Sequence, residues 1–202
     1  MITKALPTLL TKGAWFLLLL GLLSCNGQSE SPEPVSGPEI RASALQLRAG
    51  EGLVYHGETP FSGSSVSHYP NDQLAERIHY LEGKKHGLSQ KWFRDGTLSF
   101  EANLLDGKRD GAVKTWWKDG KIRSESHYKK GVAHGQQLQW YPSGAQFKEM
   151  NLVEGKEEGM QRAWRENGKI YNNYEARNGR IFGLKRANLC FELSNEIITK
   201  DS

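Results

Sequence analysis

A pair of glycines four residues apart recurs along this chain at a constant step of 24 residues. A tryptophan keeps the same step, and a further glycine follows each tryptophan by four residues. The recurring glycine pairs include Gly83, Gly87, Gly107, Gly111, Gly131, Gly135, Gly155 and Gly159, and the tryptophans are Trp92, Trp116, Trp140 and Trp164. A fixed period of this size predicts one small structural unit, copied and stacked along the chain.

Each unit has the pattern of two short strands separated by glycine turns. From Leu98 to Leu104 apolar residues alternate with polar ones, which is the period of a strand with one apolar face. Asp95-Gly96 and Asp106-Gly107 are typical of two-residue hairpin turns. The sequence therefore predicts an all-β fold, an elongated single-layer antiparallel meander of tandem 24-residue β-hairpins with a short C-terminal cap.

The repeat resembles a known family. Gly83-Lys84-Lys85-His86-Gly87 and Asp119-Gly120-Lys121-Ile122 are similar to the bacterial variant of the MORN repeat, and the resemblance extends over residues 55–183. It implies a meandering sheet of successive hairpins. Bacterial arrays of this kind are grouped with the YwqK-type antitoxins, so the resemblance also implies sequestration of a partner toxin as an alternative function.

The N-terminal segment has the features of an export signal. Lys4 and Lys12 precede an apolar run of about ten residues, which is short for a membrane span. The run ends at Leu22-Leu23-Ser24-Cys25, which resembles the lipobox of bacterial lipoproteins and implies that Cys25 carries the acyl chains, such as palmitate. The alternative is an ordinary signal peptide followed by a chance cysteine. Asn26, in place of an aspartate, favours the outer membrane over the inner membrane of the cell envelope.

Composition divides the rest of the chain. Residues 1–24 are predicted to be the signal peptide, and residues 25–50, rich in Ser, Pro and Gly, a flexible tether. Residues 51–183 are predicted to form the repeat array and residues 184–202 the cap, with Cys190 as a small buried residue rather than a reactive thiol. Lys and Arg residues are scattered through every repeat and are not gathered on one element, which argues against nucleic-acid binding.

Candidate reactive groups do not converge in this pattern. His86 and His134 hold equivalent positions two repeats apart, too far apart for one metal ion. The recurrent Glu101, Glu125 and Glu149 would lie about 9–10 Å apart and are expected to pair with basic residues or turn amides. We therefore expect no metal, no cofactor and no enzymatic activity.

Aromatic residues are the strongest candidates for binding. Adjacent strand residues point to opposite faces, so the tryptophan ladder is expected to pack and stack between copies. The neighbouring Phe93, Trp117 and Tyr141 would then face outwards as candidate partner-binding residues. These features predict a non-catalytic, lipid-anchored repeat protein with a protein-binding or scaffold surface at the bacterial cell envelope. A glycan- or peptidoglycan-binding module is an alternative, and the small net charge argues against strong attraction to anionic lipid.

Overall fold

The structure is a computed structural model that describes residues 36–184. That part of the chain contains one short 3₁₀ helix, Ala42–Ala44, and sixteen strands. The strands are β1 (Glu39–Arg41), β2 (Gln46–Arg48), β3 (Leu53–His56), β4 (Thr59–Pro60), β5 (Gly63–His68), β6 (Leu74–Leu81), β7 (Lys84–Trp92), β8 (Leu98–Leu105), β9 (Lys108–Trp116), β10 (Ile122–Lys129), β11 (Val132–Trp140), β12 (Gln146–Val153), β13 (Lys156–Glu157), β14 (Gly159–Trp164), β15 (Ile170–Arg177) and β16 (Arg180–Leu184).

Twelve of these strands, β5 to β16, follow one another across a single open sheet. Each pairs antiparallel with its neighbours, β13 and β14 both lying against β12, so the predicted all-β meander of hairpins is confirmed. At the first edge, β1 pairs with β5 in the parallel direction, with Glu39 opposite Ser64. Leu184, which we expected in the cap, ends β16; residues 185–202 lie outside the described part of the chain.

Glycine turns of two residues close one end of each hairpin. Asp106 and Gly107 both have positive φ, 49° and 80°, as a type I′ turn requires, and they connect the paired residues Leu105 and Lys108. The N–H of Gly107 donates to the carbonyl of Lys85 in the previous copy (2.7 Å), and the next two turns repeat this bond. The turns of successive copies are therefore joined by main-chain hydrogen bonds.

A different turn closes the other end. The N–H of Gly96 donates to the carbonyl of Phe93 (3.0 Å), and the N–H of Phe93 donates to the carbonyl of Thr97 (2.8 Å). These bonds enclose a three-residue loop with its glycine in the left-handed region, at φ 86°. The two-residue turn predicted at Asp95-Gly96 is therefore wrong by one residue, because Arg94 belongs to the loop.

The second glycine of four successive pairs, Gly87, Gly111, Gly135 and Gly159, lies in a β-bulge. Between β8 and β9 the register passes from Ala102–Val113 to Leu104–Arg109, so β9 carries two extra residues. Gly111 lies within this bulge at φ 87°, and a Cβ added there would meet no atom within 4 Å. The backbone conformation, not a lack of space, is therefore what requires glycine at this position.

One row of side chains crosses the sheet on a single face, which we call the inner face. The register aligns Ser65, Ile78, Ser89, Ala102, Val113, Ser126, Gln137, Met150, Gln161 and Tyr174 in this row. Gln161 is only 1% exposed, yet its amide donates to the carbonyl of Asn151 (2.8 Å) and accepts from the N–H of Asn151 (3.2 Å). This side chain supplies the pairing that the adjacent bulge removes from the main chain.

The three-stranded sheet β2–β4 covers the start of the array. Phe61 and Tyr80 are buried there with Ile78, and the two rings lie 5.9 Å apart. Residues 39–48, which we expected in the flexible tether, form β1, the 3₁₀ helix and β2, so ordered structure begins before residue 51. The predicted signal peptide and Cys25 lie outside the described residues. No helix within residues 36–184 has the length and apolarity that crossing a membrane needs.

Asp72 provides a test of the turn geometry. It holds in the first hairpin the place of Gly96 and Gly120 in later copies, and it has the same left-handed backbone, at φ 63°. Because this conformation is strained for a residue with a Cβ, we expect Asp72→Gly to stabilise the protein by about 0.5–1 kcal/mol. The matched variant Gly120→Asp should lower the free energy of unfolding by a similar amount in urea titrations. Equal stability of the two variants would contradict the argument.

Aspartates in the three-residue turns predict a pH dependence. The N–H of Thr97 donates to Asp95 (3.0 Å), and Lys121 contacts Asp119 through its N–H and its ammonium (both 3.1 Å), which lowers the pKa of both carboxyls. A carboxyl with a lowered folded-state pKa stabilises the fold above its unfolded pKa of about 4, and this stability is lost as the pH falls through the lowered value. We expect Asp95→Asn combined with Asp119→Asn to lose less Tm between pH 5 and pH 2 than the parent chain.

The equivalent turn at Asn167 and Gly168 carries the control for this prediction. Asn167 already accepts the N–H of Lys169 (3.0 Å) without a charge. The converse variant Asn167→Asp should therefore steepen the acid-side fall of Tm. Parallel Tm profiles for all three proteins would refute the proposed role of the turn carboxylates.

Candidate ligand-binding pocket between repeats

The turn residues Trp117 and Tyr141 join each copy to the next. Trp117 Nε1 donates to the carbonyl of Trp140 (3.3 Å), and the Tyr141 hydroxyl donates to the carbonyl of Trp164 (3.0 Å). Tyr69 makes the same bond to the first copy, whereas Phe93 at the equivalent position has no polar atom to make it. These side chains are half-buried and structural; whether they also bind a partner stays a prediction.

The tryptophan ladder does not stack as we expected. Trp92, Trp116, Trp140 and Trp164 are each half-buried, and they pair across the strands with Leu98, Ile122, Gln146 and Ile170. Aromatic ring pairs within residues 36–184 are instead His56–Phe61, Phe61–Tyr80 and Tyr141–Phe147. Non-aromatic cross-strand partners, three of them aliphatic, therefore take the place of the predicted ring stacking between copies.

A pocket of about 530 Å³ opens on the inner face between two copies. It is lined by Thr115, Trp117, Arg123, Ser124, Gln139, Trp140, Tyr141, Pro142 and Phe147. Two of the three predicted partner-binding residues, Trp117 and Tyr141, are thus brought to one site, whereas Phe93 is not part of it. The sequence did not single out Arg123 or Phe147.

A second bulge places Arg123 in this pocket. Ile122 pairs with Trp116 and Ser124 pairs with Thr115, which leaves Arg123 as an extra residue. Strict alternation would put Arg123 on the face opposite Ile122, but its guanidinium lies over the Trp117 ring, 4.6 Å from the centroid. A bulge redirects a side chain in this way because it interrupts the two-residue period of the strand.

Phe147 is the extra residue of the equivalent bulge in the next copy. Its ring lies 5.0 Å from the Tyr141 ring, with an angle of 57° between the planes. Burial raises the pKa of the Tyr141 hydroxyl. The bulge position holds Ser99, Arg123, Phe147 and Tyr171 in successive copies, and this variation within a constant repeat is the signal by which the sequence could have identified it.

Polar groups form the floor of the pocket, and its charge is positive. The Thr115 and Ser124 hydroxyls lie 2.6 Å apart, and Gln139 is aligned beside Ser124. Arg123 is the charged residue of the lining, and within residues 36–184 no carboxylate forms an ion pair with it. At the rim, the Lys121 ammonium contacts Asp119 (3.1 Å) and donates to the carbonyl of Pro142 (3.0 Å).

The recurrent glutamates lie on the face opposite the pocket. Glu125 pairs with Lys114 (3.5 Å), and Glu149 pairs with Arg162 (3.6 Å). Glu101 instead accepts from the side-chain amide of Gln90 (2.9 Å). Each carboxylate thus has a partner on an adjacent strand.

The side chain at the recurrent histidine position accepts a hydrogen bond from a main-chain N–H of the next turn. His134 Nδ1 accepts from the N–H of Glu154 (3.4 Å), and Asp110 in the preceding copy accepts from the N–H of Lys130 (2.8 Å). His86 Nδ1 lies 3.7 Å from the carboxylate of Asp106, the turn residue equivalent to Lys130 and Glu154. Among residues 36–184 no three acidic, histidine or cysteine side chains are grouped so that they could hold a metal ion.

An open sheet of glycine-hinged hairpins, with a pocket between copies, defines a β-repeat protein. Residues 109–130 match the family described as MORN repeat variant, and this segment spans most of β9, the following turn and β10. The MORN-variant resemblance is therefore confirmed for one copy at the centre of the array. A repeat of this kind indicates a protein- or membrane-binding module. The comparison with curated proteins gives no match.

The contacts between copies predict the effect of small changes in the pocket wall. Trp117→Phe and Tyr141→Phe each remove one hydrogen bond to a main-chain carbonyl and keep an aromatic ring. We expect each to lower the free energy of unfolding by about 1 kcal/mol, measured by urea titration. Tyr171→Phe is the control, since its hydroxyl makes no hydrogen bond within residues 36–184. A loss in the control as large as in the two variants would contradict the assignment.

Proposed function

We propose that this protein is a non-catalytic, lipid-anchored repeat protein that presents a protein-binding surface at the bacterial cell envelope. The observation that carries the proposal is the aromatic pocket on the inner face, which Trp117, Trp140 and Tyr141 from two copies line together with Arg123. Tryptophan, tyrosine and arginine are the residues most enriched in binding hot spots between proteins.

The open form of the sheet supports the same function. Repeat arrays present continuous surfaces that suit partners of extended shape, and each copy here adds two strands to such a surface. The pocket is only one part of that surface.

Anchoring at the envelope is supported by the lipobox-like segment that ends at Cys25. Two or more acyl chains on one cysteine hold a protein on a membrane far more firmly than a single chain, because each buried methylene contributes about 0.8 kcal/mol. The part of the predicted tether that precedes β1, residues 26–38, would separate the array from the lipid headgroups.

Lipid anchoring predicts incorporation of labelled palmitate. The full chain should take up the label when expressed in bacteria, and Cys25→Ser should abolish both labelling and membrane association. Cys190→Ser is the matched control, since the chain has two cysteines, and it should be labelled like the parent. Labelling that survives Cys25→Ser, or that is absent from the parent chain, would exclude the anchor.

Partner binding can be tested by site-specific photocrosslinking in cells. A photoreactive amino acid at Pro142, on the rim of the pocket, should give a discrete crosslinked product with a second protein. The same amino acid at Lys114, on the opposite face, should not give that product. If Pro142 and Lys114 give the same products, or neither gives one, the inner face is not a protein-binding surface.

A further inference from the structure

We propose that the pocket between Trp117 and Tyr141 receives a carboxylate of a partner protein, from an Asp or Glu side chain next to a large apolar side chain. The inference rests on the proposed function, because it specifies the kind of segment that a protein partner would present. The observations that carry it are the charge of the pocket, the nature of its walls and the arrangement of its rings.

The charge of the pocket calls for an anion. Arg123 is the charged residue of the lining, it is exposed, and no carboxylate within residues 36–184 forms an ion pair with it. Lys148, the cross-strand partner of Gln139 on the same face, adds a second cation beside the pocket. A guanidinium forms short charge-assisted hydrogen bonds with a carboxylate, often two at once. Its position over the Trp117 ring restricts the side chain before a ligand arrives.

The walls and the floor suit a peptide. Trp117, Trp140, Tyr141 and Phe147 offer apolar surface for one large side chain of the ligand. The hydroxyls of Thr115 and Ser124, and the amide of Gln139, can hydrogen-bond the main chain of an extended segment. A carboxylate bound by Arg123 and an apolar neighbour against the rings would therefore engage both parts of the pocket.

The ring geometry favours a peptide over a sugar. A sugar stacks on an open aromatic face, but the Arg123 guanidinium already lies over the Trp117 ring. The Tyr141 and Phe147 rings are tilted by 57° and do not form a flat platform. The contact region between two neighbouring copies contains two successive bulge residues. The pair Arg123 and Phe147 lines this pocket, whereas the corresponding pair one copy earlier is Ser99 and Arg123.

The test uses the full-length chain in detergent and a displayed library of short random peptides. Enriched peptides should share an Asp or Glu next to a Phe, Leu or Ile. A synthetic peptide of that kind should change the tryptophan fluorescence and bind more weakly as salt rises. Arg123→Gln should weaken it about tenfold or more. Phe147→Ser, which installs the residue found at the equivalent bulge two copies earlier, Ser99, should also weaken it.

Arg94→Gln is the matched control, because Arg94 also lies over an aromatic ring, 5.6 Å from the Tyr69 centroid, but outside the pocket. It should bind the peptide like the parent chain, and circular dichroism should show all three variants folded. Enriched peptides without an acidic residue, or undiminished binding by Arg123→Gln, would overturn the proposal.

The outcomes separate this inference from the proposed function. If Pro142 crosslinks to a protein but acidic peptides do not bind, the pocket assignment fails and the binding function stands. If Pro142 gives no crosslink and acidic peptides do not bind, both the pocket assignment and the binding function fail. If no peptide is enriched, and the parent chain but not Arg123→Gln sediments with purified peptidoglycan, the pocket is a glycan site and the peptide proposal is wrong.

Discussion

The left-handed backbone at the repeated glycines is the constraint on which the rest of the structure depends. Gly107 needs it to close a two-residue turn, and Gly111, four residues later, needs it to form a bulge. Residues with a Cβ pay about 1–2 kcal/mol for this conformation. The turn keeps consecutive strands side by side with the twist that type I′ turns match, and the bulge bends the strand and increases its twist. Both features recur every 24 residues because a glycine, which adopts the left-handed conformation readily, recurs at both positions with that period.

Contacts between neighbouring copies convert a series of hairpins into one sheet. The N–H groups of Gly107, Gly131 and Gly155 in the two-residue turns bond to carbonyls of the copy before. Trp117 and Tyr141 each donate to a carbonyl of the copy after. Side chains as different as Asp110 and His134 accept a turn N–H at the same place. Because these contacts link only adjacent copies, stability in such an array is close to a sum of repeat and neighbour contributions. The identity of a contact residue can therefore change from copy to copy while its role is kept.

The candidate site lies at positions whose residue type varies from copy to copy. Glycine positions fix the backbone, whereas the bulge position before each strand centre accepts Ser99, Arg123, Phe147 and Tyr171. A cation and an aromatic ring at consecutive bulges meet at one junction and form the pocket there. Binding specificity in this protein would then be a property of one junction and not of the repeat as such, which is consistent with a pocket that excludes Phe93.

Much of the fold could be predicted from the sequence, because turns and strand alternation depend on local backbone preferences. The period of 24 residues, the glycine turns and the paired strands of each hairpin are properties of short segments, and the structure has them. Arg94 joined a three-residue loop because the closing hydrogen bonds run between Phe93, Gly96 and Thr97. Residues 39–48 are ordered in place of a tether because β1 and β2 pair with strands β5 and β3 further along the chain. Trp117 and Tyr141 could be picked out as aromatic neighbours of the ladder. Only the tertiary structure decided that Arg123 turns onto the Trp117 ring and shares a pocket with Phe147, because a bulge is set by the register between strands and not by the residues of one strand alone.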